Sequence, residues 1–297
     1  MSVPEAIRFK GVYVAMATPF HEDGGVDLDS LAGHCVRLAG GGVHGLVPCG
    51  SLGEYEALSD EERAEVVKTA MDATPAGVEV VPGVSAKSGP QARRWAEHAG
   101  EAGCRAVMCL PPTAHAPSDD EVVAHFREVA RAGLPIIAYN NPFSTRVDLT
   151  PALLARLGGI DEVVAVKEFS QDVRRVAAIR QAAPGLEILC GCDDTFVEAM
   201  LMGATGWIAG FANALPAESV ELYDLCIAGR WEEAVAKYVP QLPLLRWDAD
   251  PRFVQAIKLT MDELGQHGGP VRLPRLALSA EDADLVRSQL RTYLASR

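Results

Sequence analysis

Long apolar runs are absent from this 297-residue sequence. No segment approaches the length of a membrane span, and Met1–Glu5 do not begin the apolar region of a signal peptide. Basic residues are scarce, with 27 Lys and Arg against 40 Asp and Glu, which gives a formal net charge of −13. Because nucleic acids and acidic membrane surfaces attract basic proteins, we expect neither as a partner. We expect a soluble, cytoplasmic protein.

The sequence also lacks the cysteine and histidine patterns of disulfide and metal proteins. Its seven cysteines lie mostly inside apolar runs and include no Cys-x-x-Cys pair, a distribution typical of reduced, buried thiols. Its seven histidines contain no His-Glu-x-x-His motif. A metal-dependent aldolase would need a cluster of histidines or acids at its active site. We therefore predict neither a metal nor a cofactor.

One glycine-rich string imitates a dinucleotide-binding motif. Gly40–Gly45 fits the pattern GxGxxG, but it precedes a predicted strand, whereas the dinucleotide motif follows one. We interpret it as the C-terminal cap of a helix that leads into the next strand.

Short apolar runs alternate with amphipathic stretches between about residues 10 and 228. The predicted strands are Val12–Met16, Leu46–Cys49, Val78–Pro82, Ala106–Leu110, Ile136–Asn140, Val163–Lys167, Leu186–Cys190 and Gly206–Gly210. Helix-start signals at Ser59, Ser118 and Thr150-Pro151 lie between them. Eight successive strand–helix units predict an α/β protein with a parallel sheet closed as a (β/α)8 TIM barrel.

The chain after the eighth strand has helical patterns only. We predict helices at Trp231–Tyr238, Arg252–Leu264 and Ala280–Ala295, separated by prolines. Residues 1–228 would form the barrel, and residues 229–297 a C-terminal helical extension packed on it.

Lys167 stands in the sixth predicted strand, a run of small apolar residues typical of a buried strand. Burying an ammonium group without a partner is costly. A neutral amine is a nucleophile towards ketones, so Lys167 is a candidate for imine chemistry. Alternatively, Lys167 lies at the frayed end of the strand and pairs with Glu168 or another acid. The strand alone leaves both interpretations open.

In a (β/α)8 barrel, catalytic side chains come from the C-terminal ends of the strands and from the loops that follow. Strand two is followed by Gly50-Ser51-Leu52-Gly53-Glu54, and strand five ends in Tyr139-Asn140-Asn141-Pro142. Strand six ends at Lys167, and Asp193-Asp194 follow strand seven. We expect all four to converge on one mouth of the barrel.

These motifs resemble the dihydrodipicolinate synthase/N-acetylneuraminate lyase family of class I Schiff-base aldolases. The likeness rests on Gly-Ser-x-Gly-Glu after strand two, Tyr-Asn-x-Pro after strand five and Val-Lys-Glu at strand six. It extends from Ala17 to Asn213, and the helical tail is also in place. Three motifs in order, at the ends of the corresponding strands, are far more specific than any one of them.

The resemblance implies a role for each motif. Lys167 would attack the ketone of a 2-oxo acid and form a protonated imine, with Tyr139 as general acid and base. The backbone N–H groups of Gly50, Ser51 and Leu52 and the Ser51 hydroxyl would bind the substrate carboxylate. The carbonyl of Ile208 would lie near the imine. The resemblance also implies a homodimer or homotetramer.

Each of these residues has a plainer interpretation. Tyr139 is compatible with a core aromatic, and Gly50-Ser51 with an ordinary helix cap. Asp193-Asp194 are compatible with a pair that caps the helix from Thr195.

Three departures from the family pattern bear on the substrate. Leu52 replaces a second hydroxyl residue, and the segment Pro111–His115 after strand four has no tyrosine to complete a proton relay. Either the relay is shortened, or His115 or Thr113 replaces the tyrosine. Ser144 stands where the synthases have an arginine, with Arg146 two residues later. Because serine cannot form a bidentate ion pair with a carboxylate, this argues against true dihydrodipicolinate synthesis.

We therefore expect a Schiff-base lyase that cleaves, dehydrates or deaminates a 2-oxo acid. The candidate reactions are aldol cleavage releasing pyruvate, dehydration of a 2-keto-3-deoxy sugar acid, and deamination of a hydroxypyrroline carboxylate. Ser144, Thr145, Asp193 and His115 would form the distal wall, which suits a hydroxylated substrate better than a second carboxylate. The alternatives are a non-catalytic barrel that binds a 2-oxo acid and a true dihydrodipicolinate synthase.

Overall fold

Eight parallel strands form one sheet in the computed structural model, which describes residues 9–112 and 114–296. The strands are β1 Gly11–Ala15, β2 Gly45–Val47, β3 Glu79–Val80, β4 Val107–Cys109, β5 Ile136–Asn140, β6 Val163–Glu168, β7 Glu187–Cys190 and β8 Gly206–Ala209. Their order is β3-β2-β1-β8-β7-β6-β5-β4. A parallel bridge between Gly83 and Met108 joins the two outer strands, so the predicted (β/α)8 barrel is confirmed.

Helices surround this sheet. The α-helices are α1 Leu28–Gly40, α2 Asp60–Ala73, α3 Gly89–Glu101, α4 Asp119–Ala130, α5 Pro142–Thr145, α6 Pro151–Leu157, α7 Arg174–Ala182, α8 Phe196–Met202, α9 Pro216–Ile227, α10 Trp231–Tyr238, α11 Leu242–Leu245, α12 Phe253–Glu263 and α13 Ala280–Ala295. Ser59 and Ser118 begin α2 and α4 with reciprocal capping boxes, as their sequences predict.

The glycine run at residues 40–45 forms the expected cap. Helix α1 ends at Gly40, Gly42 takes a positive φ of 86°, and β2 begins at Gly45. A positive φ costs a residue without a Cβ little. The string is therefore a helix-to-strand connection on the N-terminal side of β2, away from the strand ends that carry the candidate motifs.

The barrel strands are buried almost throughout, because side chains fill the interior and helices cover the outside. This explains why they read as continuous apolar runs in the sequence. All seven cysteines are buried and free, as predicted. Burial raises the pKa of the Cys49 thiol to about 11, so this thiol is held in its protonated, unreactive form.

The C-terminal segment (residues 229–296) contains the three predicted helices, α10, α12 and α13, each within one residue of its predicted ends. Sequence reasoning missed the short helix α11 and the 3-10 turn Arg246–Ala249. The division of the chain at residue 228 stays a prediction. No helix among residues 9–112 and 114–296 has the length and apolar character needed to cross a membrane.

A buried ion pair ties this segment to the loop after β2. The Lys258 ammonium donates to the Glu54 carboxylate at 2.8 Å and to the Pro270 carbonyl at 2.7 Å. The backbone N–H of Arg272 donates to the other Glu54 oxygen at 3.0 Å. Both charged side chains of the Glu54–Lys258 pair are only 2% exposed. The segment and the glycine-serine loop are therefore held together by groups that water does not screen.

Candidate active site

Lys167 lies near the C-terminal end of β6 and is only 5% exposed. Its ammonium nitrogen is 4.4 Å from the centroid of the Tyr139 ring and 5.8 Å from that of Phe169. Lys167 and Tyr139 occupy paired positions of β6 and β5, so both side chains point to the same face of the sheet. Side chains alternate between the two faces of each strand, and the register of β5 and β6 therefore brings the two candidate catalytic residues together.

Glu168 is not the partner of Lys167. Its carboxylate accepts from the Asn140 amide at 3.0 Å and from the Ser170 backbone N–H at 2.6 Å, on the opposite face of the strand. Among the described residues, no carboxylate forms an ion pair with Lys167. The simple pairing with Glu168 that the sequence left open is therefore not what the structure shows.

A cavity of about 480 Å³ opens at the C-terminal ends of the strands. We call it the central cavity. It brings together six of the residues predicted for the site: Gly50, Ser51, Leu52, Tyr139, Ser144 and Lys167. Its volume lies in the range of pockets that bind metabolite-sized ligands.

Contacts with the segment after β1 hold the loop after β2 in one conformation. Thr18 donates its hydroxyl to the Gly53 carbonyl at 2.8 Å, and a Cβ at Gly53 would lie 3.0 Å from the Met16 carbonyl. Within the described part of the chain, the backbone N–H groups of Ser51 and Leu52 have no acceptor. Free N–H groups on a turn beside a cavity are suited to bind an anion.

Asn141 holds the phenol of Tyr139 in place. The Asn141 amide nitrogen donates to the Tyr139 phenol oxygen at 3.0 Å. The amide oxygen accepts from the backbone N–H of Ser144 at 3.1 Å. Because a backbone N–H can only donate, this contact fixes which end of the amide faces the tyrosine. Sequence reasoning missed this residue, although the second asparagine of Tyr-Asn-Asn-Pro was a visible signal.

Two buried acids lie beside the lysine. The Asp193 carboxylate accepts from the Trp207 indole N–H at 2.9 Å and from the backbone N–H groups of Gly210 and Phe211 at 3.1 and 2.7 Å. Asp248 lines the central cavity and accepts from the Asp193 backbone N–H at 3.3 Å.

Burial shifts the pKa of both acids upwards. Burial raises the pKa of Asp193 to about 6, although its three N–H donors act in the opposite direction. Burial and the nearby Asp193 raise the pKa of Asp248 well above its usual value. Asp193 has three N–H donors that stabilise its charge and Asp248 has few, so burial opposes the charged form of Asp248 more strongly.

With the site in place, comparisons with known proteins identify its family. The Dihydrodipicolinate synthetase family matches residues 8–293. The chain belongs to this family. A 4-hydroxy-tetrahydrodipicolinate synthase of Methanothrix thermoacetophila is 34% identical over 289 residues, which cover 95% of this chain and 96% of the relative. One from Methanospirillum hungatei is 30% identical over 292 residues, covering 96% and 99%.

Solved structures of the family have the same fold. Dihydrodipicolinate synthase from Aquifex aeolicus has a TM-score of 0.92 at 27% identity and covers 96% of this chain and 98% of its own. The enzyme from Methylacidiphilum fumariolicum has a TM-score of 0.94 at 26% identity, covering 97% of both chains. Members of the dihydrodipicolinate synthetase family are class I lyases, so this protein is an enzyme of that class.

Four residues predicted for the site lie outside the walls of the central cavity. Thr145 is buried, and its hydroxyl donates to the Asn141 carbonyl at 2.9 Å. His115 is exposed, with its imidazole 3.8 Å from the Glu121 carboxylate. Ile208 is fully buried in β8, and Asp193 is held by the donors described above. Their substrate contacts stay predictions, and Thr113 lies outside the described residues.

The C-terminal segment supplies walls that sequence reasoning missed. Asp248, Asp250, Pro251, Phe253 and Arg275 all line the central cavity. Gly191, after β7, leaves room for the lysine, because a Cβ there would lie 3.0 Å from the Lys167 Cε. No group of three or more metal-binding side chains occurs among residues 9–112 and 114–296.

Proposed function

We propose that this protein is a Schiff-base lyase in which Lys167 forms an imine with a hydroxylated 2-oxo acid. The observation that carries the proposal is the position of Lys167. It is nearly buried in the central cavity, next to the ring of Tyr139 and without an ion-pair partner among the described residues. A lysine in such surroundings is suited to attack a carbonyl carbon.

The first step joins enzyme and substrate. The Lys167 amine adds to the C2 carbonyl, and loss of water leaves a protonated imine. The N–H groups of Ser51 and Leu52 and the Ser51 hydroxyl hold the adjacent carboxylate. The cationic imine then acts as an electron sink, and Tyr139, oriented by Asn141, moves the proton at C3 or on the substrate oxygen. The product of this step is an enamine on Lys167.

The second step distinguishes the candidate reactions. In a dehydration, the enamine electrons expel the C4 hydroxyl, which must take a proton to leave as water. In the deamination of a hydroxypyrroline carboxylate, Lys167 adds to C2 of the ring imine, and the ring nitrogen leaves C2 and stays on C5 as an amine. The C4 hydroxyl is then expelled in the same way, and after the double bond shifts to C4–C5, water releases the nitrogen from C5 as ammonia. Asp248 lies in the cavity wall, where burial raises its pKa, and we assign it the role of donor to the departing C4 hydroxyl. Water that hydrolyses the final imine then frees Lys167.

True 4-hydroxy-tetrahydrodipicolinate synthesis is the second candidate, because the relatives named above are synthases. Against it stands Ser144 in the cavity wall at the place of the synthases' arginine. Arg146 does not replace that arginine, since it is exposed and outside the cavity walls. A barrel that only binds 2-oxo acids is disfavoured by the presence of both Lys167 and Tyr139 in one cavity.

Borohydride trapping tests the imine. The protein is reduced in the presence of pyruvate, and the adduct is located by intact mass and peptide mapping. We expect one adduct, on Lys167, that is absent from Lys167→Ala. Lys258, equally buried but outside the cavity, is the internal control and should stay unmodified. A second measurement follows turnover of 2-keto-3-deoxy sugar acids, hydroxypyrroline carboxylate, and pyruvate with aspartate semialdehyde. Absence of any Lys167 adduct would refute the proposal, and turnover of the semialdehyde pair alone would establish the synthase.

Assembly and location belong to the same proposal. We expect a homodimer or homotetramer, which light scattering of the purified protein measures directly, and we expect it in the cytoplasm.

A further inference from the structure

We propose that Arg275 binds a second anionic group of the substrate, a carboxylate at the end remote from the 2-oxo acid. This rests on the proposed function, which places the 2-oxo acid end at Lys167 and the loop after β2. It changes the expected substrate class from a hydroxylated monoacid to a diacid.

The first support is the place of Arg275. It follows Leu273-Pro274 in the C-terminal segment, and its backbone N–H donates to the Arg272 carbonyl at 3.0 Å. Its guanidinium carbon lies 5.3 Å from the centroid of the Phe253 ring, and both residues line the central cavity. The turn and the aromatic ring hold a permanently charged, planar group at the cavity wall.

The second support is that the Arg275 guanidinium has few hydrogen-bond partners among the described residues. Within residues 9–112 and 114–296, it makes one hydrogen bond, a long contact of 3.4 Å to the Pro251 carbonyl. In the described part of the chain, no carboxylate forms an ion pair with it. A guanidinium has five N–H donors, so most of the donors of Arg275 are left for a ligand.

Neighbouring arginines show the contrast. Arg252 binds both oxygens of Asp250 at 2.8 and 2.9 Å and Asp282 at 2.6 Å. Arg272 binds the Glu62 carboxylate and two backbone carbonyls. These two are therefore engaged in holding the segment together, and Arg275 is the one directed to the cavity.

The acids in the cavity wall do not cancel this charge. Both oxygens of Asp250 accept from Arg252, so this carboxylate is already paired. Asp248 is buried, and burial together with the nearby Asp193 raises its pKa, which disfavours its charged form. The cavity thus presents an anion-binding loop near Lys167 and a free guanidinium in another wall, which matches a ligand with two separate anionic groups. The planar fork of arginine favours a carboxylate, which it binds through two parallel hydrogen bonds.

The position of Arg275 changes what Ser144 implies about the substrate. By itself, the missing arginine after β5 predicts a substrate without a second carboxylate. In the structure, a different arginine from the C-terminal segment enters the same cavity as Ser144. The absence of an arginine at position 144 therefore does not exclude a diacid.

The test compares two probes of equal length, 2-oxoglutarate and 2-oxopentanoate, which differ in the distal carboxylate. Binding is measured by calorimetry in wild type, Arg275→Gln and Arg146→Gln. The last variant is the matched control, since it removes the same charge from an exposed arginine of the β5 loop. We expect wild type to bind the diacid about 10 to 150 times more tightly, the range of a charge-assisted contact. Arg275→Gln should abolish this preference, and Arg146→Gln should keep it.

Repeating the titrations in Lys167→Ala separates this proposal from imine formation. A diacid preference that persists there and disappears in Lys167→Ala/Arg275→Gln supports the role of Arg275 even if borohydride traps no adduct. Equal affinity for the two probes in wild type would overturn the proposal. So would a diacid preference that Arg275→Gln leaves unchanged, whether or not Lys167 forms an imine.

Discussion

Replacing Asn141 by aspartate tests how the general acid and base is oriented. The new side chain has nearly the same shape and keeps the oxygen that accepts from the Ser144 N–H. It replaces the nitrogen that donates to the Tyr139 phenol with an acceptor. The loop should therefore stay in place, while the hydrogen bond that stabilises negative charge on the phenol oxygen is lost. The phenol would instead donate its proton to the new carboxylate.

The magnitude follows from that single contact. A hydrogen bond to a charged group contributes about 1.5 to 3 kcal/mol, and about 1.4 kcal/mol corresponds to a factor of ten in rate. We expect proton transfer at C3 to slow by about 10- to 150-fold. Imine formation at Lys167 should change far less, because the Asn141 amide hydrogen-bonds to Tyr139 and Ser144.

The assay is the exchange of pyruvate methyl hydrogens for deuterium in D2O, followed by NMR, which requires no knowledge of the natural substrate. Borohydride trapping of the same variant measures the imine separately. Ser144→Ala is the control, because it removes a hydroxyl from the same loop and keeps the backbone N–H that binds Asn141. It should exchange pyruvate within about twofold of wild type. Wild-type exchange by Asn141→Asp would refute the assigned role of Asn141.

Two further predictions concern stability. Lys258→Met should lower the free energy of unfolding in urea by about 3 to 5 kcal/mol, because it leaves Glu54 charged, buried and without its main partner. The double variant Lys258→Met/Glu54→Gln should recover part of this free energy. An equal loss in the single and the double variant would contradict the explanation. Burial lowers the pKa of His125 to about 4, so its stabilising contribution is complete above its unfolded pKa near 6.5 and is lost as the pH falls towards 4. Between pH 7 and pH 4, wild type should therefore lose about 3 kcal/mol of unfolding free energy relative to His125→Gln. A difference between the two proteins that does not change with pH would show that His125 is not buried as described.

The barrel was predictable because its strands are signalled locally. A parallel strand covered on both faces must be largely apolar, and the eight runs are, with only isolated polar or charged residues such as Glu79 and Glu187. Lys167 and Tyr139 were predictable for a related reason. A charged lysine is unusual in such an apolar run and therefore stands out in the sequence. Both residues lie at the ends of strands that are neighbours in any (β/α)8 barrel.

The walls of the site were harder to predict, because they depend on tertiary packing. Asp248 and Arg275 come from a segment with no strand pattern, and nothing local in the sequence shows that it covers the mouth of the barrel. Thr145 and Asp193 were expected to face the substrate. These contacts stay predictions, and the sequence positions of the two residues give no indication that backbone groups bind both side chains. The hydrogen-bond partner of a buried polar side chain depends on atoms that are distant in the sequence.

The origin of the cavity walls has an evolutionary consequence. The nucleophile and the carboxylate loop belong to the barrel, whereas Asp248, Phe253 and Arg275 belong to the C-terminal segment. A duplicated gene can therefore acquire a new substrate through mutations in its last quarter while Lys167 and Tyr139 stay untouched. In directed evolution, a library confined to Phe253 and Arg275 would sample changes of specificity at little risk to the imine chemistry.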